Sequence, residues 1–200
     1  MRALIMAGGV GSRLNLGEKP LITLCGRPMI EYITDAFTAA GFEPVVAASM
    51  KTPMTMNWCR ARGIEMCKAE GKGYVEDMVE SVLGLEEQGP LFICVSDIPC
   101  ITPDIIRFIF ASYQSTGKDA LSTWIPAKLV KSCRGGMPYR ETVDGIDSCP
   151  AGLNILRGDR IGEVQDECSL LLDEPCLAVN VNTRADLAQA EKILKIHPSF

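Results

Sequence analysis

The chain has 200 residues, 47% of them hydrophobic and 22% charged, with a net charge of −5. That make-up is the one expected of a soluble globular protein of one domain (1–200) with a substantial buried core, and not of a disordered chain. The acidic balance argues against a nucleic-acid surface and requires a local basic site or a metal ion for any anionic ligand. With no run of about 18 apolar residues, a membrane span is not expected.

The first element predicted is a short buried strand, Ala3-Leu4-Ile5-Met6, which opens directly into Ala7-Gly8-Gly9-Val10-Gly11-Ser12-Arg13 and, a few residues on, Lys19-Pro20. Glycines permit positive φ angles and let a ligand approach the backbone without a Cβ in the way. A loop of this kind aims several N–H groups at one anion, and Arg13 and Lys19 would neutralise a polyphosphate. Neither the Walker pattern nor the dinucleotide fingerprint is present: Gly71-Lys72 is followed by Gly73 where a hydroxyl is needed, and Gly9-Val10-Gly11 is followed by Leu14 where the third glycine should stand. The stretch reads as a triphosphate-binding loop of another type.

Beyond it, Leu21 to Leu24 is a short apolar run and Gly26-Arg27-Pro28 a turn. Met29, Ile30, Ile33, Ala36, Phe37 and Ala40 recur at helical spacing and Gly41 ends the helix. Residues 44–48 form a second strand. Thr52-Pro53 starts a second helix, closed by Gly63, and 64–67 is a third apolar run. A glycine-flanked lysine, Gly71-Lys72-Gly73, stands at the mouth of a third helix. Glu76 and Asp77 there suit the helix dipole. Leu91 to Val95 is continuously apolar, as in a strand covered on both faces, and ends at Ser96-Asp97-Ile98-Pro99. A carboxylate at the carboxyl end of a central parallel strand is where a Mg²⁺ ligand for phosphoryl chemistry belongs, so Asp97 is the candidate metal residue.

A further helix is expected over 105–113 and a strand over 120–125. Residues 126–150 change character and read as an excursion near a second substrate; Lys128, Lys131, Arg134 and Arg140 make it basic, which suits a phosphate ester or simply a solvated surface. Leu177 to Thr183 leads into a last helix, with Thr183 and Asp186 spaced for a capping box. The nine cysteines include no C-x-x-C and several lie in apolar runs. Together with the lack of an apolar leader they suggest reduced thiols in a cytoplasmic protein. Alternating strands and helices predict a three-layer α/β domain, Rossmann-like, with a mostly parallel central sheet and the site at the carboxyl ends of its strands.

The run A-L-I-M-A-G-G-V-G-S-R-L followed by E-K-P-L resembles the signature loop of nucleotidyltransferases with a Rossmann-like GT-A fold. E-K-P-L-I-T-L-C-G-R-P-M-I, G-K-G-Y-V-E-D and P-A-G-L-N-I are similar to one branch, the archaeal GTP:adenosylcobinamide-phosphate guanylyltransferases, nearly end to end. The resemblance implies that Ala7, Gly8, Gly9, Gly11, Ser12, Arg13 and Lys19 bind the triphosphate of GTP. It places Gly71, Lys72, Gly73 and Tyr74 at the base and ribose. It further implies Gly152 and Asn154 at the transfer site beside a corrinoid phosphate acceptor, Asn180 or Asn182 completing the metal and phosphate side, and Mg²⁺ on Asp97. The expected reaction is GMP transfer with release of pyrophosphate, in cobalamin biosynthesis, with Arg13, Lys19 and Asp97 as the catalytic set. Two alternatives stay open: the same chemistry on molybdopterin or a sugar phosphate, and a GTP-binding regulator without turnover.

Overall fold

The computed structural model describes residues 1–9, 11, 14, 16–130 and 139–196. Ser12 and Arg13 of the first loop, and Lys131 and Arg134 of the basic excursion, lie outside the described residues.

Strand β1 (Arg2–Met6) is buried along almost its whole length and runs into the glycine loop. A 3₁₀ turn (Lys19–Leu21) follows, then a two-residue hairpin of β2 (Thr23–Leu24) and β3 (Arg27–Pro28). Helix α1 (Met29–Ala40) buries Ile30, Ile33 and Phe37 at the predicted spacing and stops at Gly41, whose φ of 90° is the left-handed conformation that glycine adopts without a Cβ penalty. β4 (Glu43–Ser49), α2 (Pro53–Arg62), β5 (Glu65–Ala69), α3 (Tyr74–Gly84) and β6 (Pro90–Val95) continue the alternation. They are followed by α4 (Pro103–Thr116), capped by the Thr102 hydroxyl on Ile105 N–H, and β7 (Ala120–Pro126).

The remaining strands depart from that rhythm. β8 (Glu141–Val143) and the twelve-residue β9 (Ile146–Arg157) form an antiparallel hairpin, and β10 (Glu167–Leu171) lies parallel to β7. The sheet order is β10-β7-β9-β6-β1-β4-β5, with β8 beside β9. β1, β4, β5 and β6 pair in parallel, whereas β9 is antiparallel to both β6 and β7. The P-A-G-L-N-I block is thus the middle of a long strand inserted against the direction of the sheet. The last helix, α5 (Arg184–Ile196), begins at the expected capping box: Asp186 accepts from Thr183 N–H at 2.8 Å, and Thr183 Oγ1 accepts from Asp186 N–H at 3.2 Å.

Period-2 alternation sorts the strand side chains onto two faces. Ala3, Ile5, Phe92, Cys94, Leu153 and Ile155 pack under α1, α2 and α4, with Phe37, Phe42, Phe92 and Phe110 in edge-on and tilted ring contacts. Leu4, Met6, Val45, Leu91 and Ile93 pack under α3 through Met78 and Val82. A third cluster seats α5 against the β2–β3 hairpin and the start of α1. Among the described residues no helix is long and apolar enough to cross a membrane.

Candidate active site

A cleft of about 370 Å³ opens at the carboxyl ends of β1, β4, β5 and β6. Parallel strands deliver the loops there: Gly8 and Gly9 after β1, Lys51 after β4, Gly71 to Tyr74 after β5, and Val95 to Asp97 from β6, with Lys19 and Asp77 on its walls. The first loop is compact, since a Cβ on Gly11 (φ +62°) would lie 3.0 Å from Gly17 O and 3.2 Å from Lys19 Cα. Lys19 N–H donates to Gly9 O at 3.3 Å. Only glycine fits where the loop closes on itself.

Lys19 and Asp97, far apart in sequence, meet here. Lys19 Nζ donates to Asp97 Oδ2 and, at 2.7 Å, to Asn182 Oδ1. Asn182 in turn donates to Asn180 Oδ1, and Val181 N–H donates to Asp97 O at 2.8 Å. The Asn180–Thr183 segment is therefore pinned to the loop that carries Asp97. Asn182 reaches the site through Lys19, while Asn180 stands one bond further back. The other oxygen, Asp97 Oδ1, is buried and has no hydrogen-bond partner among the described residues. A buried carboxylate oxygen left so is costly unless a further donor or cation joins it. No three His, Cys, Asp or Glu side chains converge among the described residues. A cation here would take one protein carboxylate and fill its shell from water and substrate phosphates, the habit of Mg²⁺.

The second loop is held from two sides. Asp77 is buried, and its Oδ1 accepts from both Gly71 N–H and Lys72 N–H at 2.9 Å. Asp77 stands in the first turn of α3, as the helix-dipole reading has it, and from there also reaches back and fixes the loop. On the opposite side Lys51 Nζ donates to Gly71 O at 2.6 Å. Lys72 is exposed and paired with Glu70, which raises its pKa further above the ordinary lysine range. Tyr74 keeps nearly half of its surface open. Desolvation of its hydroxyl end, then the nearby Cys94 and Asp97, hold its pKa well above that of a free phenol. It stays a neutral donor and acceptor at any physiological pH.

Gly152 and Asn154 sit on β9, where the ladder to β7 is irregular: Ser122 faces Asn154, but Trp124 faces Pro150. Three β9 residues thus stand against Thr123, a β-bulge next to the cleft. Gly152 takes a φ of +82°, and a Cβ there would lie 2.6 Å from Val95 Cγ2, a wall of the cleft. Asn154, expected at the transfer site, accepts with its Oδ1 from Thr123 N–H at 3.2 Å and closes the bulge. Arg27 is directed to Glu31 and Asp35 and over the Tyr32 ring, away from the cleft.

Two cleft features escaped the sequence reading, Lys51 and the loop-fixing part of Asp77. Lys51 had one signal, its position two residues past the end of a parallel strand.

Comparisons agree with this geometry. The family model for a MobA-like NTP transferase domain matches residues 3–192. Adenosylcobinamide-phosphate guanylyltransferase of Methanocaldococcus jannaschii is 31% identical over 206 residues, covering 98% of each chain. Mannose-1-phosphate guanyltransferase of Hypocrea jecorina is 31% identical over 117 residues, 52% of this chain and 32% of that protein. Among solved structures, molybdopterin-guanine dinucleotide biosynthesis protein A of Archaeoglobus fulgidus shares the fold with a TM-score of 0.70 at 17% identity, covering 98% of this chain and all of that one. With two glycine loops, a strand-end aspartate and a lysine meeting in one cleft, and a family match over nearly its whole length, this chain is a nucleotidyltransferase and belongs to the MobA-like NTP transferase family.

Proposed function

We propose that the protein transfers GMP from GTP to adenosylcobinamide phosphate. A phosphate oxygen of the acceptor attacks the α-phosphorus of GTP, the bond from that phosphorus to the α–β bridging oxygen breaks, and pyrophosphate leaves. The observation that carries this reading is the end-to-end similarity to the M. jannaschii guanylyltransferase, which covers 98% of each chain where the match to the sugar-phosphate relative covers 52% of this one.

A phosphate monoester is already ionised, so the nucleophile needs no strong base; positioning and charge neutralisation do the catalysis. Lys19 sits on Asp97 and exchanges that contact for the phosphates when nucleotide enters. The N–H groups of the Gly8-Gly9 turn bind phosphate oxygens, with Arg13 assigned to the same task by the resemblance. Gly71 to Tyr74, held by Asp77 and Lys51, bind the base and ribose. Asp97 Oδ1 would hold Mg²⁺, which, when bound, draws negative charge off the phosphates. Uncrosslinked thiols at Cys25, Cys59, Cys67, Cys94, Cys100, Cys168 and Cys176 suit a reducing cytoplasm.

The test is calorimetric titration with GTP, ATP and CTP in the presence of Mg²⁺, followed by a pyrophosphate-release assay with adenosylcobinamide phosphate. Binding of GTP alone and acceptor-dependent release are expected. Release that needs molybdopterin or a sugar phosphate instead would move the protein to another branch, and binding without release would make it a nucleotide sensor.

A further inference from the structure

Helix α2 has no cap of its own. Thr52 stands at its N-cap position, yet the Thr52 hydroxyl is turned inward to accept from Ser49 N–H at 3.2 Å. Pro53 has no N–H. The first two donors of the helix are then Met54 and Thr55, and both are taken by one side chain from the first loop. Glu18 Oε1 accepts from Met54 N–H at 2.7 Å, and Glu18 Oε2 accepts from Thr55 N–H and Thr55 Oγ1, each at 2.6 Å. Met56 N–H goes to Thr52 O, so every donor of the first turn is accounted for.

A carboxylate beside the lysine of a polyphosphate site is electrostatically the wrong sign unless its charge is used elsewhere. Here it is used. The charge lies on the positive end of a helix that offers an acidic residue in neither its first turn nor its N-cap. Glu18 is also the residue before Lys19: its carbonyl accepts from Leu21 N–H at 3.0 Å and opens the 3₁₀ turn on which Lys19 rides. Its backbone therefore sets where the Lys19 stem starts, while its side chain ties that point to the wholly buried Thr55. The far end of Lys19 meets Asp97 and Asn182.

We infer that Glu18 is a positioning residue for the reaction: the bidentate cap it places on α2 fixes the origin of the Lys19 side chain, so that Nζ meets the phosphates instead of sweeping through the cleft. The effect passes entirely through Lys19. This rests on the assignment of Lys19 to the triphosphate.

A double-mutant cycle decides it. Wild type, Glu18→Gln, Lys19→Ala and the double variant are compared by GTP titration and by pyrophosphate release with adenosylcobinamide phosphate. Glutamine keeps the length but turns an NH₂ toward one of the two N–H groups, so the two-pronged cap is lost. Glu18→Gln is expected to lower kcat/KM for GTP about tenfold in the wild-type background and by less than about twofold in the Lys19→Ala background. Losses that multiply in the double variant, or a Glu18→Gln enzyme at the wild-type value, overturn the inference, because a merely structural cap would act equally with or without Lys19. If Glu18→Gln does not fold, Thr55→Val, which deletes one of the three bonds and keeps the volume, takes its place with an expected loss of about threefold. A wild type that binds GTP but releases no pyrophosphate sinks the guanylyltransferase reading alone, and the cycle is then read in Kd. A wild type that binds no nucleotide sinks both.

Discussion

The two sides of the sheet are held by different devices. Around β1, β4 and β5 the loops are fixed by charged side chains that reach across to a neighbour's backbone: Glu18 to Met54 and Thr55, Asp77 to Gly71 and Lys72, Lys51 to Gly71. Around β7 and β9 the fixing is done inside the strands, by a positive-φ glycine, a bulge and an asparagine that satisfies a buried N–H. The first kind of anchor joins separate loops around the cleft and lies outside the sheet ladder. The second lies within the ladder and cannot be changed without disturbing the sheet. Substitutions around the cleft should therefore appear first in kinetics, and those around the bulge first in stability.

The largest effect tests the kinetic half. Lys19→Ala removes the cation that joins Asp97 and Asn182 and is expected to lower turnover about 10²–10³-fold, as the loss of one transition-state donor does elsewhere. Steady-state pyrophosphate release measures it, and a loss below about fivefold would remove Lys19 from the machinery.

Next comes the bulge. Gly152→Ala combines a left-handed φ with a Cβ 2.6 Å from Val95 Cγ2 and should cost about 2–3 kcal/mol in urea unfolding. Gly71→Ala has a similar φ of +79°, but its Cβ meets the movable end of Lys51 at 3.2 Å. It should be the milder change in stability and the stronger in GTP affinity. The reverse order would erase the distinction between the two sides. Asn154→Ala leaves Thr123 N–H unpaired at a residue only 1% exposed, and about 2 kcal/mol should be lost while KM for GTP holds. Should KM for the acceptor rise with stability intact, Asn154 belongs to the transfer site after all.

The same contrast explains what could be read from the chain. Strand, glycine loop and helix follow one another along β1, β4, β5 and β6, so the periodicity of Ile30, Ile33 and Phe37, the stop at Gly41 and the strand-end position of Asp97 are all local signals. Lys19 and Asp97 could be named because each is marked by its own neighbours. What could not be named is long in range. The α2 cap comes from Glu18, 37 residues before Thr55, and the partner of Asn154 is 31 residues earlier in the chain. β10, with exposed Glu167 and Ser169 alternating with half-buried Cys168 and Leu170, has too weak an alternation to be picked out as a strand. Resemblance placed Asn154 in the transfer site; physics at the bulge gives its oxygen another partner.

Asp77→Ala probes the ligand-facing anchor by itself. Two loop N–H groups lose their acceptor, and the second loop must be ordered by the nucleotide at each binding event. KM for GTP should rise about tenfold with kcat nearly unchanged, the signature of lost uniform binding. An equal fall in kcat and kcat/KM would instead place Asp77 in the transition state.

The smallest expected effect concerns the core beneath the cleft. Cys59 is wholly buried where α2 packs on the sheet, and burial, only partly offset by a backbone hydrogen bond and Arg60, pushes its thiol from 9.0 up to about 11. The folded state therefore keeps a proton that the unfolded chain gives up. The stability this represents is complete below pH 9 and is lost as pH rises from 9 toward 11. At pH 9.5 the share is about 0.8 kcal/mol by linkage. Unfolding free energies of wild type and Cys59→Ala, each referred to its own value at pH 7.5, should diverge by that amount, with wild type falling faster. Parallel curves would mean that the thiol ionises in the folded protein nearly as it does in the unfolded one.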